Sequence, residues 1–268
     1  MDRGIVLRER RPMPGPSCLL PAQTPASLSP RQNQLLAALP RRQYERLRPH
    51  LELVPLRAGS TLHEAGIRQR HVHFPVTGLV CRVHMTSDGE YTGYAVTGSE
   101  GMIGIASFLG GESTLGQSIV LCPGHAFRLG TDPLGEELEA GGVLAQILMG
   151  YTQALIAQTG QVAVCTRHHS IRQRTCFWIL ECVDRLRTGE LPMTQEVIAE
   201  MVGVRREGIT HAMGELEAAK AIRRHRGGVT ILDRRGLEAL ACECYRVVRR
   251  EHERLRRLPL RSGSPSPA

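Results

Sequence analysis

The apolar residues of this chain change their spacing twice, and those two changes exclude most folds. From Gln32 to Arg48, Leu35, Leu36, Leu39 and Leu47 fit a short amphipathic helix that restarts near Pro40. From Leu51 to about Phe127 the period is two: Leu79, Cys81, Val83 and Met85 alternate with Val80, Arg82 and His84. Ser87-Asp88-Gly89-Glu90 then turns the chain into Tyr91 to Thr97, a hairpin. Gly59, Gly66, Gly78, Gly89, Gly98, Gly110 and Gly124 punctuate this segment with the rhythm of an antiparallel roll. After Pro133 the helical period returns and persists. The expected class is α+β: an N-terminal antiparallel, jelly-roll-like β-roll, then a long helix and a helical C-terminal part.

Leu144, Leu148, Tyr151, Leu155, Gln158 and Val162 are separated by three and four residues, the a/d spacing of a coiled coil. This predicts a long helix that pairs with its twin in a homodimer through Leu144, Leu148, Tyr151 and Leu155, with Gln158 fixing register. Packing of the helix on its own roll is the alternative, aided by Gly150 and Gly160, which weaken an isolated helix. Thr166 to His169, with His168 and His169, reads as a hinge. Ser170 is placed to N-cap a helix whose apolar stripe is Ile171, Thr175, Trp178, Cys182 and Leu186.

From Met193 the chain runs Thr194-Gln195-Glu196-Val197-Ile198-Ala199-Glu200-Met201-Val202-Gly203-Val204-Arg205-Arg206-Glu207-Gly208-Ile209-Thr210-His211. Small Ala199 permits two helices to cross closely, Gly203 supplies the turn, and Val204 and Ile209 pack the second helix back, which is a helix-turn-helix pattern. At about 100° per residue, Ile209, Ala212, Met213 and Leu216 share one face and Arg206, Glu207, Thr210 and His211 the other. These four are the candidate base-reading residues. Ala221 to Arg226, Gly227-Gly228 and Val229 to Leu232 follow as two short strands around a glycine turn, with Arg223, Arg224, His225 and Arg226 at the tip. With Arg205, they are candidates for holding phosphates of double-stranded DNA. Asp233 is placed to cap one final helix carrying Leu237, Leu240, Ala241, Cys244 and Val248.

Charge divides in the same way. The net charge of +8 is distributed as +6 over residues 1–50, −5 over 51–160 and +7 over 161–268, so the segment holding the helix-turn-helix pattern is the one fitted to a polyanion. No apolar run reaches the roughly 18 residues of a membrane helix, and Gly4 to Leu7 is interrupted at once by Arg8, so no membrane association and a cytoplasmic location are expected. Eight cysteines without a C-x-x-C spacing fit reduced thiols. The organisation expected is a disordered Pro-rich tail (1–30), a roll with a leading helix (31–134), a dimerisation helix and hinge (135–169), a winged helix-turn-helix domain with a C-terminal helix (170–258) and a second disordered tail (259–268).

From about Leu35 to Leu258 this order resembles the Crp/Fnr family of bacterial transcription regulators. The resemblance implies a homodimer on inverted-repeat DNA, contact with RNA polymerase, and base contacts from Arg206 and Glu207; His211 stands where the cyclic-AMP receptor's branch has another arginine. It also implies an effector pocket in which a Gly-Glu pair holds a ribose and an arginine holds the cyclic phosphate. The matching positions here are Ile105 and Gln117, and no Arg or Lys lies between Arg82 and Arg128. A degenerate effector site follows, with the small-molecule effector unknown. The family's iron–sulfur branch uses several N-terminal cysteines where this chain has Cys18 alone.

The competing reading is an enzyme or metal sensor in which His71 and His73, on one face of a strand, bind metal as in cupin-like rolls. No Glu follows to complete that set, and no phosphate loop or serine elbow appears. Cys242 and Cys244, two apart in one helix, are expected to diverge. No cofactor, no metal and no enzymatic activity are therefore expected.

Overall fold

The computed structural model describes residues 27–111 and 113–257. Cys18 and most of the two expected tails lie outside the described residues. Seven strands form the roll: β1 (Glu52–Leu56), β2 (Thr61–His63), β3 (His71–Pro75), β4 (Leu79–Met85), β5 (Tyr91–Thr97), β6 (Gln117–Cys122) and β7 (Gly124–Gly130). They pair antiparallel as two sheets, β1-β7-β3 and β2-β6-β4-β5, with Leu56, Val80, Ile103, Val120 and Ala126 packed together. The β4–β5 hairpin closes where expected: the Thr86 amide donates to Glu90 O at 2.9 Å.

Strand β4 is buried on both faces, not one. Leu79, Cys81 and Val83 pack on C-terminal helices, while Val80 and Arg82 face the other way. The alternation of β4 is therefore real, but its polar-looking side is interior because helices cover the side that would otherwise meet water.

Two short helices, α1 (Gln34–Ala37) and α2 (Arg41–Leu47), lead into the roll. Asn33 is fully buried; its Oδ1 accepts from Leu35 and Leu36 amides and its Nδ2 donates to Pro75 O and Gly101 O. After α3 (Thr131–Glu139), helix α4 (Val143–His168) runs for 26 residues. The seam expected to pair with a twin is filled within the chain. Leu144, Leu148 and Tyr151 pack with Leu36, Tyr44, Val72, Phe74 and Leu129, and Leu155 is buried. Gln158 is buried as well and donates to Glu181 Oε2 at 2.7 Å. The alternative of a helix on its own roll is what these residues do.

The outward side of α4 shows Gln146, Met149, Gln153, Ile156, Gly160 and Ala163, again three and four apart. Helix α5 (Ile171–Leu186) follows with the capping box of Ser170 and Gln173. One core cluster then runs without interruption from β4 and β5 through Trp178 and Ile179 to Ile198, Ile209 and Leu216. The expected single final helix is two, α8 (Arg234–Leu240) and α9 (Glu243–Arg256), broken at Ala241 and Cys242, and α9 lies along α4. No single described helix is long and apolar enough to cross a membrane.

Candidate nucleic-acid interface

Helix α6 (Gln195–Val202) starts where Thr194 Oγ1 accepts from the Val197 amide at 3.3 Å. It ends at Gly203, whose φ of 69° is left-handed and whose amide donates to Glu200 O. A side chain at Gly203 would be strained and its Cβ would press on Thr92 of β5 at 3.2 Å. Helix α7 (Arg206–Ala218) then buries Ile209, Ala212, Met213 and Leu216 and exposes Arg206, Glu207, Thr210 and His211, all four on the side opposite the core. Thr210 Oγ1 lies 3.0 Å from Arg206 O and 3.2 Å from Gln195 Oε1, so it links α7 to the start of α6. His211 is 82% exposed, with Nε2 3.7 Å from Glu215 Oε1. An exposed guanidinium, carboxylate, hydroxyl and imidazole on one helix face match the donor and acceptor edges of bases in a major groove.

The wing consists of β8 (Glu190–Leu191), β9 (Ile222–His225) and β10 (Gly228–Ile231), in the order β8-β10-β9. Its four basic residues have different partners. Arg223 and Arg226 are exposed, as is Arg205 just before α7. Arg224 is not a free phosphate contact: Nε and Nη2 both donate to Glu217 Oε2, at 2.8 and 2.5 Å. His225 leans on Glu190, 3.4 Å away. Strand alternation explains the split, because Arg223 and His225 point to one face while Arg224 turns toward α7. The third strand, β8, was not expected.

In the roll, Ile105 lines a cavity of about 370 Å³ shared by Arg82, Tyr94, Ser118, Leu155 and Thr159. Gln117 is not at its wall; its amide donates to Glu64 Oε2. The residue that sequence reasoning missed is Arg82. Its Nη1 donates to Thr97 Oγ1 at 2.6 Å and its Nη2 to Met102 O at 2.7 Å and to Tyr151 Oη at 3.3 Å. The Tyr151 ring approaches Gly101 so closely that a Cβ there would lie 2.3 Å from it.

The histidines of the competing metal reading do not act as a pair. His71 is exposed while His73 is buried, and the ring beside His73 is that of His63, centroids 5.5 Å apart. Burial pushes His73 down to about 3 and His63 to about 4, so both are neutral near pH 7.

Comparison with known proteins agrees with this geometry. Residues 173–240 match the Crp-like helix-turn-helix domain. The global nitrogen regulator of Synechococcus elongatus is 22% identical over 192 residues, 68% of this chain and 86% of that protein. FixK2 of Bradyrhizobium japonicum has the same fold at TM-score 0.64 and 17% identity, over 72% of this chain and 98% of that one. A Crp/Fnr-family transcriptional regulator of Thermus thermophilus reaches TM-score 0.58 at 22% identity, over 71% of this chain and 98% of that one. Residues 173–240 are thus a Crp-like helix-turn-helix domain, built around α6–α7 and the wing, and the chain as a whole has the fold of the Crp/Fnr-family structures it resembles.

Proposed function

We propose that the chain reads an inverted-repeat operator as a homodimer, acts as a regulator and not as an enzyme, and has a roll without a working cyclic-nucleotide site. The observation that carries the reading is the division of α7 into a buried apolar face and an exposed face of Arg206, Glu207, Thr210 and His211. Arg206 suits a guanine edge and Glu207 a cytosine amino group. Arg205, Arg223 and Arg226 supply phosphate contacts that set position without reading sequence.

Self-pairing is assigned to the outward side of α4. Met149, Ile156 and Ala163 recur every seven residues, flanked by Gln146, Gln153 and Gly160, and Met149 and Ile156 are 51% and 66% exposed. At Gly160, on this side, an added Cβ would meet nothing within 4 Å, so a second helix has room to approach. A two-fold axis along α4 sets the two α7 helices on successive major grooves, about 34 Å apart. The loss of cyclic-nucleotide binding rests on Ile105 and Gln117 at the acid and arginine positions and on the commitment of both Arg82 amino groups to protein acceptors.

Selection of bound sequences from a random duplex pool tests this reading. An inverted repeat with half-sites one helical turn apart is expected; recovery of unrelated sequences, or no retention at low salt, overturns it.

A further inference from the structure

Four potential ligands that the regulator's architecture leaves unexplained converge where the end of α4 meets the start of α9. The Sγ atoms of Cys165, Cys242 and Cys244 and a ring nitrogen of His169 all lie within 4.8 Å of one another. Cys165 sits in the last turn of α4 and His169 is the C-cap four residues on, so both face the same side. Cys242 occupies the break between α8 and α9, and Cys244 the first turn of α9. Because α9 begins only at Glu243, the helical divergence expected of Cys242 and Cys244 does not apply, and their thiols turn toward the same point. Cys165 Sγ lies 3.5 Å from Cys242 Sγ, and Cys244 Sγ 3.4 Å from His169 Nδ1. Zinc bonds of about 2.3 Å to sulfur and 2.0–2.1 Å to nitrogen place tetrahedral ligand atoms about 3.3–3.8 Å apart. Both pairs already have that spacing.

The surroundings are those of a metal site. The three thiols are buried. His169 Nε2 lies 3.3 Å from Glu243 Oε1, the outer carboxylate that orients a ligating imidazole and leaves Nδ1 for the ion. Gln161 Nε2 donates to Cys244 Sγ at 3.2 Å, a contact that favours a thiolate.

We propose that Cys165, Cys242, Cys244 and His169 form a Cys₃His site for one zinc(II) ion that clamps the end of the long helix to the start of the C-terminal helix. Three thiol protons leave to solvent as three Zn–S bonds form, and neutral His169 binds through Nδ1 while Nε2–H is held by Glu243. Four protein ligands close the coordination shell, so the ion's role is structural and not catalytic. The clamp is independent of the DNA-binding reading: it holds or fails whether or not an operator is found.

The test uses the full chain, purified reduced and equilibrated with zinc(II), with metal counted by plasma mass spectrometry. Cobalt(II) replacement is read for thiolate charge transfer and the d–d bands of a tetrahedral ion. One zinc per chain and a tetrahedral cobalt–thiolate spectrum are expected, with zinc affinity lowered at least tenfold in Cys244→Ser and His169→Ala. Glu243→Gln keeps all four ligands and is expected to fold, with affinity lowered about 10–100-fold. Far-substoichiometric zinc, a cobalt spectrum without thiolate charge transfer, or a Cys165–Cys242 disulfide in the metal's place would overturn the assignment.

Discussion

Arg224 of the wing grips Glu217 of α7, its Nε and Nη2 both donating to Glu217 Oε2 at 2.8 and 2.5 Å, while the Arg224 amide donates to Glu217 Oε1 at 3.0 Å. The pair bolts the wing to the helix that exposes Arg206, Glu207, Thr210 and His211. Arg224 is therefore expected to orient the wing, with phosphate contact left to Arg223 and Arg226.

Arg223→Ala and Arg226→Ala are therefore expected to weaken binding to all duplexes alike and each to reduce the salt slope by about 1. Arg224→Ala is expected to leave the salt slope unchanged and to lower the melting temperature of the DNA-binding part. Salt titrations by fluorescence anisotropy, run beside thermal melts, separate the two; a slope change for Arg224→Ala equal to that of Arg223→Ala would remove its positioning role.

The two sides of α4 make opposite predictions. Ile156→Glu is expected to sediment as a monomer at micromolar concentration, with the fold intact by circular dichroism. Leu148→Ala is expected to cost about 2–5 kcal/mol in denaturant unfolding, because it opens a hole among Leu36, Phe74 and Leu129. A stable dimer of Ile156→Glu, or a monomeric but fully stable Leu148→Ala, would return the dimer seam to the inner side.

The two buried histidines give the roll a defined acid sensitivity. His73 and His63 titrate near 3 and 4 in the folded chain but near 6.5 unfolded, so the unfolded state binds more protons below pH 6.5. Their contribution is fully present above that value and is lost as pH falls toward 4; at pH 5 each costs about 2 kcal/mol relative to pH 7. Chemical denaturation between pH 7 and 5 is expected to show this loss, reduced by about one proton's worth of slope in His73→Gln. An unchanged slope in that variant would contradict the burial of a neutral ring.

Cyclic AMP and cyclic GMP are expected not to bind with dissociation constants below about 10 μM, roughly −7 kcal/mol. Arg82 is the cation beside the cavity, and its amino groups already serve Thr97, Met102 and Tyr151. Calorimetry on ligand-stripped protein decides this, and micromolar binding of either nucleotide would show that Arg82 leaves those partners.

How much of this was legible depends on where the physics is local. The helix-turn-helix could be read because Gly203, Ala199 and the Ile209–Leu216 stripe act within one short segment. Which side of α4 is buried in the chain could not, because Leu144–Leu148–Tyr151 and Met149–Ile156–Ala163 share the same spacing, and only the roll's position decides between them. Strand β8 has two residues, too few for any period. The place of Arg82 inside the roll was not legible because alternation divides β4 into two sides without revealing that helices cover the side of Leu79, Cys81 and Val83. Cys242 and Cys244 looked divergent because no glycine or proline marks the helix break between Leu240 and Glu243.

The central claim is that α7 reads sequence through Arg206. Anisotropy titrations of wild type and Arg206→Ala against the selected operator and a scrambled duplex of equal length, at one salt concentration, test it most directly. A loss of about 1–3 kcal/mol on the operator is expected, with relaxed preference at one base pair and binding to the scrambled duplex nearly unchanged. Equal losses on both duplexes would contradict it.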